Sequence, residues 1–159
     1  MSGRNKTVER IGIISDTHGI LRPQVLEELK YCAYILHAGD VTDEPVLDQL
    51  RFLCKKIYVV RGNCDYGTWA SMLSPRLRFE IGGVRFLMMH DLKGMFEEIP
   101  DVDVVISGHT HWYSLSRKGK TTYLNPGSCG FARYANSSVT MAVMLVEDGK
   151  IIDIQRIEF

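Results

Sequence analysis

Short apolar runs alternate with amphipathic stretches over the first sixty residues of the chain. Residues 11–15, 34–37 and 57–60 are dominated by aliphatic and β-branched side chains, each run about long enough for one buried strand. Between them, residues 24–31 space Val25, Leu26 and Leu29 along one helical face, and residues 44–53 do the same with Val46, Leu47 and Leu50. Pro23 and Pro45 suit a first helical turn, where a missing N–H costs nothing. Strands separated by helices in this rhythm predict βαβ units feeding a parallel sheet.

The second half changes character. Residues 76–81 and 84–89 flank Gly82-Gly83 and predict a hairpin, and residues 102–106 read as a buried strand. Further strands are expected over 112–117, 121–124, 139–146 and 150–157, with turns at Lys118-Gly119 and Asp148-Gly149. No repeat, low-complexity tract or linker interrupts this order, so residues 1–159 are expected to form one domain. The predicted class is α/β, with two β-sheets face to face and helices on the outside.

Composition narrows the function more than the fold. With 45% hydrophobic and 24% charged residues the chain can bury an ordinary globular core. Its formal net charge is zero, so no global field draws it to nucleic acid or to an anionic membrane, and neither partner is expected. Residues 1–10 are polar and no apolar run approaches the length of a membrane span, which predicts a soluble, cytoplasmic protein. The four cysteines form no C-x-x-C pair and are expected to be reduced, with Cys32 and Cys54 serving as packing residues in helical patterns.

Candidate chemistry sits where the apolar runs stop. Asp16 and His18 follow the first run, Asp40 the second and Asn63 the third; His90 ends the second hairpin strand, and His109 and His111 follow 102–106. Carboxyl ends of parallel strands share one crevice, so these seven side chains are expected on one rim. Taken singly, each has an ordinary explanation as a cap, a turn or a surface histidine. Their ordered recurrence at successive strand ends outweighs those explanations. Carboxylate, imidazole and amide oxygen suit a borderline-hard divalent ion: Mn²⁺ foremost, with Ni²⁺, Fe²⁺, Zn²⁺ or Mg²⁺ also compatible. Seven donors exceed one tetrahedral site but suffice for two ions about 3.5–4 Å apart if one carboxylate is shared. Gly39, Gly62 and Gly108 each precede a donor, where the backbone is expected to turn sharply and approach the site.

Asp16-Thr17-His18, Gly39-Asp40, Gly62-Asn63-Cys64-Asp65, His90 and Gly108-His109-Thr110-His111 together resemble the motifs of calcineurin-like metallophosphoesterases, in particular the small bacterial and archaeal phosphodiesterase branch. The resemblance implies a four-layer α/β/β/α sandwich. It implies one metal on Asp16, His18, Asp40 and His111, and a second on Asp40, Asn63, His90 and His109, with Asp40 as the bridge. It further implies hydrolysis of a small phosphate ester, most naturally a diester, by a metal-bridging hydroxide attacking phosphorus directly. Catalytic roles then fall to Asp40, Asn63, Cys64 and His109, and phosphate contacts to Asn63, Cys64 and Arg133. Homodimers or homotetramers occur among such relatives.

Two positions depart from the common pattern. Cys64 stands where many relatives have a histidine; a neutral thiol is a weaker phosphate partner than imidazolium, so Cys64→His is expected to raise turnover. In His90-Asp91-Leu92, Asp91 and Leu92 replace the usual Gly and His, and the added charge either tightens cation binding or repels phosphate. Asn125-Pro126-Gly127-Ser128 with the following Arg133 resembles a segment whose arginine approaches the phosphate, a geometry that uses two parallel donors. His37 is expected to be a core histidine rather than a ligand. Asp65 and Thr110 are expected to orient ligands, and Trp69, Phe96, Trp112, Tyr113 and Tyr134 are assigned to packing before any role at the cleft mouth. A different class of function, a scaffold resembling the retromer coat subunit of this fold, competes with the enzyme, but it has no need of seven coordinating side chains.

Overall fold

Along β1 (Glu9–Ile14), Ile11 and Ile13 face one side and Gly12 and Ile14 the other, and all four are buried. A strand apolar on both faces belongs in the middle of a layered sheet. β1 pairs in parallel with β2 (Tyr34–His37), which pairs in parallel with β3 (Ile57–Val59). The computed structural model describes residues 7–53, 56–94 and 99–159. The second half supplies β4 (Arg76–Ile81), β5 (Val84–Met89), β6 (Val104–Ile106), β7 (Tyr113–Lys118), β8 (Thr121–Pro126), β9 (Thr140–Glu147) and β10 (Lys150–Glu158). Two five-stranded sheets result, ordered β10-β9-β1-β2-β3 and β4-β5-β6-β8-β7. In the second sheet β5, β6 and β8 run in parallel, with β4 and β7 antiparallel at the edges.

The core between the sheets joins Ile11, Ile13 and Leu36 to Phe86, Met88, Val104 and Ile106. Tyr58, Phe79 and Phe86 stack across it, with ring centroids 4.0 and 5.3 Å apart. The outer face of the first sheet is covered by α1 (Pro23–Leu29), α2 (Glu44–Leu53) and the short α3 (Thr68–Ser71), which bring Val25, Leu29, Leu47 and Trp69 against Ile14, Ile35 and Val143. Gly12 is what lets α1 lie this close: a Cβ there would overlap Leu29 and meet Cys32 Sγ at 3.1 Å. The outer face of the second sheet carries Leu87, Met89, Val102 and Val105, covered among the described residues by Leu92 of one 3₁₀ turn (Leu92–Gly94), Ile99 and Tyr123.

The expected architecture is therefore present, with the helices concentrated on one side. The predicted helix over 24–31 ends at Leu29, the strand over 102–106 begins only at Val104, and α3 was not anticipated. Cys32 is buried; Cys54 and Phe96 lie outside the described residues. No helix among the described residues is long and apolar enough to cross a membrane.

Candidate metal centre

Loops leaving β1, β2 and β3 carry Asp16, His18, Asp40 and Asn63, and loops leaving β5 and β6 carry His90, His109 and His111. The expected rim is divided between the two sheets, and the candidate donors meet where the sheets' ends face each other. Backbone bonds lace the loops together: Asp16 N–H donates to Gly39 O at 2.9 Å and His18 N–H to Asp40 O at 3.0 Å. Five of the seven donor residues have positive φ, from 47° at His18 to 73° at His109, the others being Asp16, Asp40 and His111. Asp and His visit this region more readily than most residues, yet each instance costs on the order of 1–3 kcal/mol and needs its surroundings to hold it.

The neighbouring glycines divide the work. Gly39 turns the chain with φ 100°, whereas Gly62 and Gly108 make room. A Cβ on Gly62 would overlap the Asp40 backbone and carboxylate, and one on Gly108 would overlap Ser15 Oγ and lie 2.7 Å from Asp16 Oδ2.

Asp16 and Asp40 each have one oxygen occupied by protein donors and one turned toward imidazoles. Asp16 Oδ2 accepts from Ser15 Oγ at 2.6 Å and from His109 N–H at 3.0 Å. Its Oδ1 faces His111 Nε2 at 3.3 Å, His18 Nε2 at 3.7 Å and His90 Nε2 at 3.8 Å. Asp40 Oδ1 accepts from Cys64 N–H at 2.8 Å, while Oδ2 faces His90 Nε2 at 3.2 Å and His18 Nε2 at 3.6 Å. Asp16 Oδ1 and His18 Nε2 are out of contact with solvent and have no hydrogen-bond partner. Buried polar atoms are ordinarily paired, so two unpaired donor atoms side by side fit a missing cation. Among the described residues three groups have donor atoms mutually within 4.8 Å, two of them built from carboxylates and imidazoles alone: Asp16, His18 and His111, then Asp40, His90 and His109. His109 Nδ1 also lies 3.0 Å from Asn63 Oδ1. His90 Nδ1–H donates to Ala38 O at 2.7 Å, which turns Nε2 toward the cluster.

Burial alone would push the Asp16 carboxyl up, but the nearby imidazoles of His111 and His18, the charge of His90 and the Ser15 hydroxyl outweigh it and hold the group well below the usual carboxylate range. Asp40 is likewise lowered, His90 and the Cys64 N–H overcoming burial. The nearby Asp16 carboxylate raises His18 against desolvation; burial is the largest single influence on His90, but Asp40 and Asp16 together outweigh it and raise the group. Burial and the Asp40 charge push the Cys64 thiol up, so it remains neutral near pH 7. The pattern is that of anions and cations substituting for one another in a space suited to divalent charge.

Cys64 Sγ lies with His18 and Asp40 in a third such group and accepts from Asn63 Nδ2 at 3.4 Å. Arg133 is exposed, its guanidinium 5.7 Å from the Tyr134 ring centroid. Asp65 touches no imidazole: its carboxylate accepts from the backbone N–H groups of Asp40, Gly62 and Thr42 at 2.7–3.0 Å. Thr110 instead binds Asn125 Nδ2 and the Trp112 N–H. Both residues therefore fix loop backbone, not ligand rings. His37 is fully buried, accepting from Gly39 N–H at 3.1 Å through Nδ1 and meeting Thr17 Oγ1 at 3.0 Å through Nε2. Trp69 and Tyr113 pack against the cores, and Trp112 and Tyr134 stack on each other with 5.4 Å between centroids.

Four supporting roles were not read from the sequence, two of them within the Asn125-Pro126-Gly127-Ser128 segment that was singled out only for the arginine after it. Ser15 bonds Asp16, Ser128 Oγ donates to Asp16 O at 2.8 Å, and Asn125 Nδ2 donates to Gly108 O at 2.9 Å. Phe131 sets its edge against both His18 and His111, at 5.4 and 5.6 Å. The available signals were Ser15, a polar residue closing an apolar run, and the Asn125-Pro126-Gly127-Ser128 motif itself.

A family model for the calcineurin-like phosphoesterase superfamily domain matches residues 10–149. A protein named "Probable metallophosphoesterase" from Methanothermobacter thermautotrophicus is 35% identical over 161 residues, covering 90% of this chain and 88% of that one. The solved structure of Vacuolar Protein Sorting 29 from Cryptosporidium parvum aligns with a TM-score of 0.77 at 20% identity, over 96% of this chain and 98% of that one. A structure described as a novel archaeal phosphodiesterase gives a TM-score of 0.74 at 22% identity, over 94% and 99% of the two chains. At such identities these two structures speak for the fold alone. The family match spans every donor from Asp16 to His111, and the chain belongs to the calcineurin-like phosphoesterase superfamily.

Proposed function

We propose that this protein is a cytoplasmic, single-domain phosphodiesterase that works with two divalent ions, Mn²⁺ being the best match to its donors. Asp16, His18 and His111 hold one ion, Asn63, His90 and His109 the other, and Asp40 is shared. The observation that carries this reading is the pair of buried carboxylates, each with one oxygen bonded and the other turned to histidine nitrogens, beside two donor atoms without partners. When bound, the ions supply the positive charge and the hydroxide that two-metal ester hydrolysis requires. Around them the chain orients the substrate. Asn63 and Cys64 lie at the exposed side of the cluster and offer the phosphate an amide and a neutral thiol, and Arg133 adds a pair of N–H donors on a neighbouring loop. A thiol kept protonated is a poor nucleophile, which supports attack by water without a phospho-enzyme. One ester P–O bond then breaks, the water oxygen takes its place, and the departing alkoxide leaves with a proton.

The fold, shared with Vacuolar Protein Sorting 29, is equally compatible with a rival reading, a protein that acts through contacts alone. Metal analysis of the purified protein, with assays on bis(p-nitrophenyl) phosphate and p-nitrophenyl phosphate in added Mn²⁺, separates the two. The enzyme reading expects two ions per chain and diester hydrolysis abolished by Asp40→Ala. Hydrolysis of neither ester, or activity that survives Asp40→Ala, overturns it.

A further inference from the structure

We propose that Asp91 is the positioning residue for His109, holding its ring so that one nitrogen faces the second ion. The inference rests on the preceding reading that His109 is a ligand. Asp91 follows His90 directly at the end of β5. Its Oδ1 accepts the Lys93 N–H at 3.0 Å, a local bond that closes the entry to the 3₁₀ turn Leu92–Gly94 and fixes the plane of the carboxylate. Oδ2 is thereby aimed at His109 Nε2, 3.6 Å away. The other nitrogen of the same ring, Nδ1, lies inside the donor cluster, 3.0 Å from Asn63 Oδ1 and 3.3 Å from His90 Nε2. The imidazole is thus suspended between the cluster and a carboxylate that is itself anchored.

An imidazole that donates a lone pair through one nitrogen carries its proton on the other. An acceptor for that proton fixes the tautomer, steers the ring and makes the coordinating nitrogen a stronger donor. His90 has such an acceptor in Ala38 O. For His109, among the described residues, Asp91 is the group facing the outer nitrogen. A separation of 3.6 Å is an ion-pair distance, longer than a hydrogen bond, and the ring has only to swing by less than about 1 Å to close it. The two ways in which an added charge at this position could act are now distinguishable: the carboxylate is spent on a ligand and on a turn. Both side chains are about two-fifths exposed, 38% and 39%, so solvent weakens the pairing. The expected effect therefore lies near the lower end of the roughly 10–100-fold that such partners contribute to metal affinity.

Calorimetric titration of the metal-stripped protein with Mn²⁺ tests this, and Asp91→Asn separates the two roles of the side chain. Asparagine keeps the Lys93 bond through its oxygen but turns an NH₂ group toward the histidine N–H. The expected result is two binding events in the wild type, with the second weakened about tenfold in Asp91→Asn and the first unchanged. Asp91→Ser, short enough to cap the turn and too short to reach His109, gives the same result should asparagine disturb the loop. Wild-type affinity in both variants would show that Asp91 is only a turn residue, and equal weakening of both events, or earlier unfolding of the metal-free variants, counts equally against the proposal. A wild type that binds fewer than two ions removes the ligand reading itself, a different failure that the same titration recognises.

Discussion

Gly108 shows how tightly the donors are held. It has no special backbone angle, yet any side chain at this position would occupy the space of Ser15 Oγ and crowd the Asp16 carboxylate. Gly108→Ala is expected to destabilise the fold by about 1–3 kcal/mol in urea unfolding, as overpacking does, and to weaken Mn²⁺ binding in calorimetry because Asp16 must move. His37 contributes a different signature. Burial drives its imidazole down to about 4 from an ordinary 6.5, and protonating Nδ1 would also forfeit the Gly39 N–H bond. In the unfolded chain the group takes up its proton first as the pH falls, so stability is full above pH 6.5 and drains away down to about pH 4, by about 3 kcal/mol. Urea midpoints measured across that window in wild type and His37→Gln check this; the variant should lack that share of the acid-side slope. The donors themselves were legible because Asp, His and Asn are conspicuous at the ends of apolar runs. The braces Ser128 and Asn125 were not, because their partners are backbone carbonyls of Asp16 and Gly108, brought close only by the tertiary fold.

Strands and helices were read from apolar runs, helical spacing and the Gly and Pro that bound them, and most hold within two residues because those breakers set where each element stops. The failures have physical causes. At four residues α3 is too short to display a helical period, and it persists because Ala70 and Trp69 are buried or half-buried against the sheet. Nor does sequence order reveal that β8 inserts between β6 and β7, since β8 forms a turn with β7 and pairs in parallel with β6. The stack from Tyr58 through Phe79 to Phe86 ties the two sheets along one edge, where β3 faces β4 and β5. Phe86→Ala should cost about 3–5 kcal/mol, measured by chemical denaturation, while leaving the number of bound Mn²⁺ ions unchanged, since Phe86 lies in the core rather than among the donors.

The sandwich as a whole contributes four candidate ligands from one sheet and three from the other. Reading the strand ends as one rim placed the seven candidates together but did not say how the two sheets share them, because nothing in the order of runs says which strands will share hydrogen bonds. Ions that bind the folded chain and not the unfolded one stabilise it by about 2.7 kcal/mol per site at a hundredfold excess over Kd, so EDTA should lower the thermal midpoint and Mn²⁺ restore it. The division of the ligands has a mechanical corollary. A cation here would act as a rivet through two plates, and prying the plates apart would require pulling it out. Hydrogen exchange should accordingly slow in the loops after β1 and β2 and in those after β5 and β6 together when Mn²⁺ is added, because neither half can open while the fastener is in place.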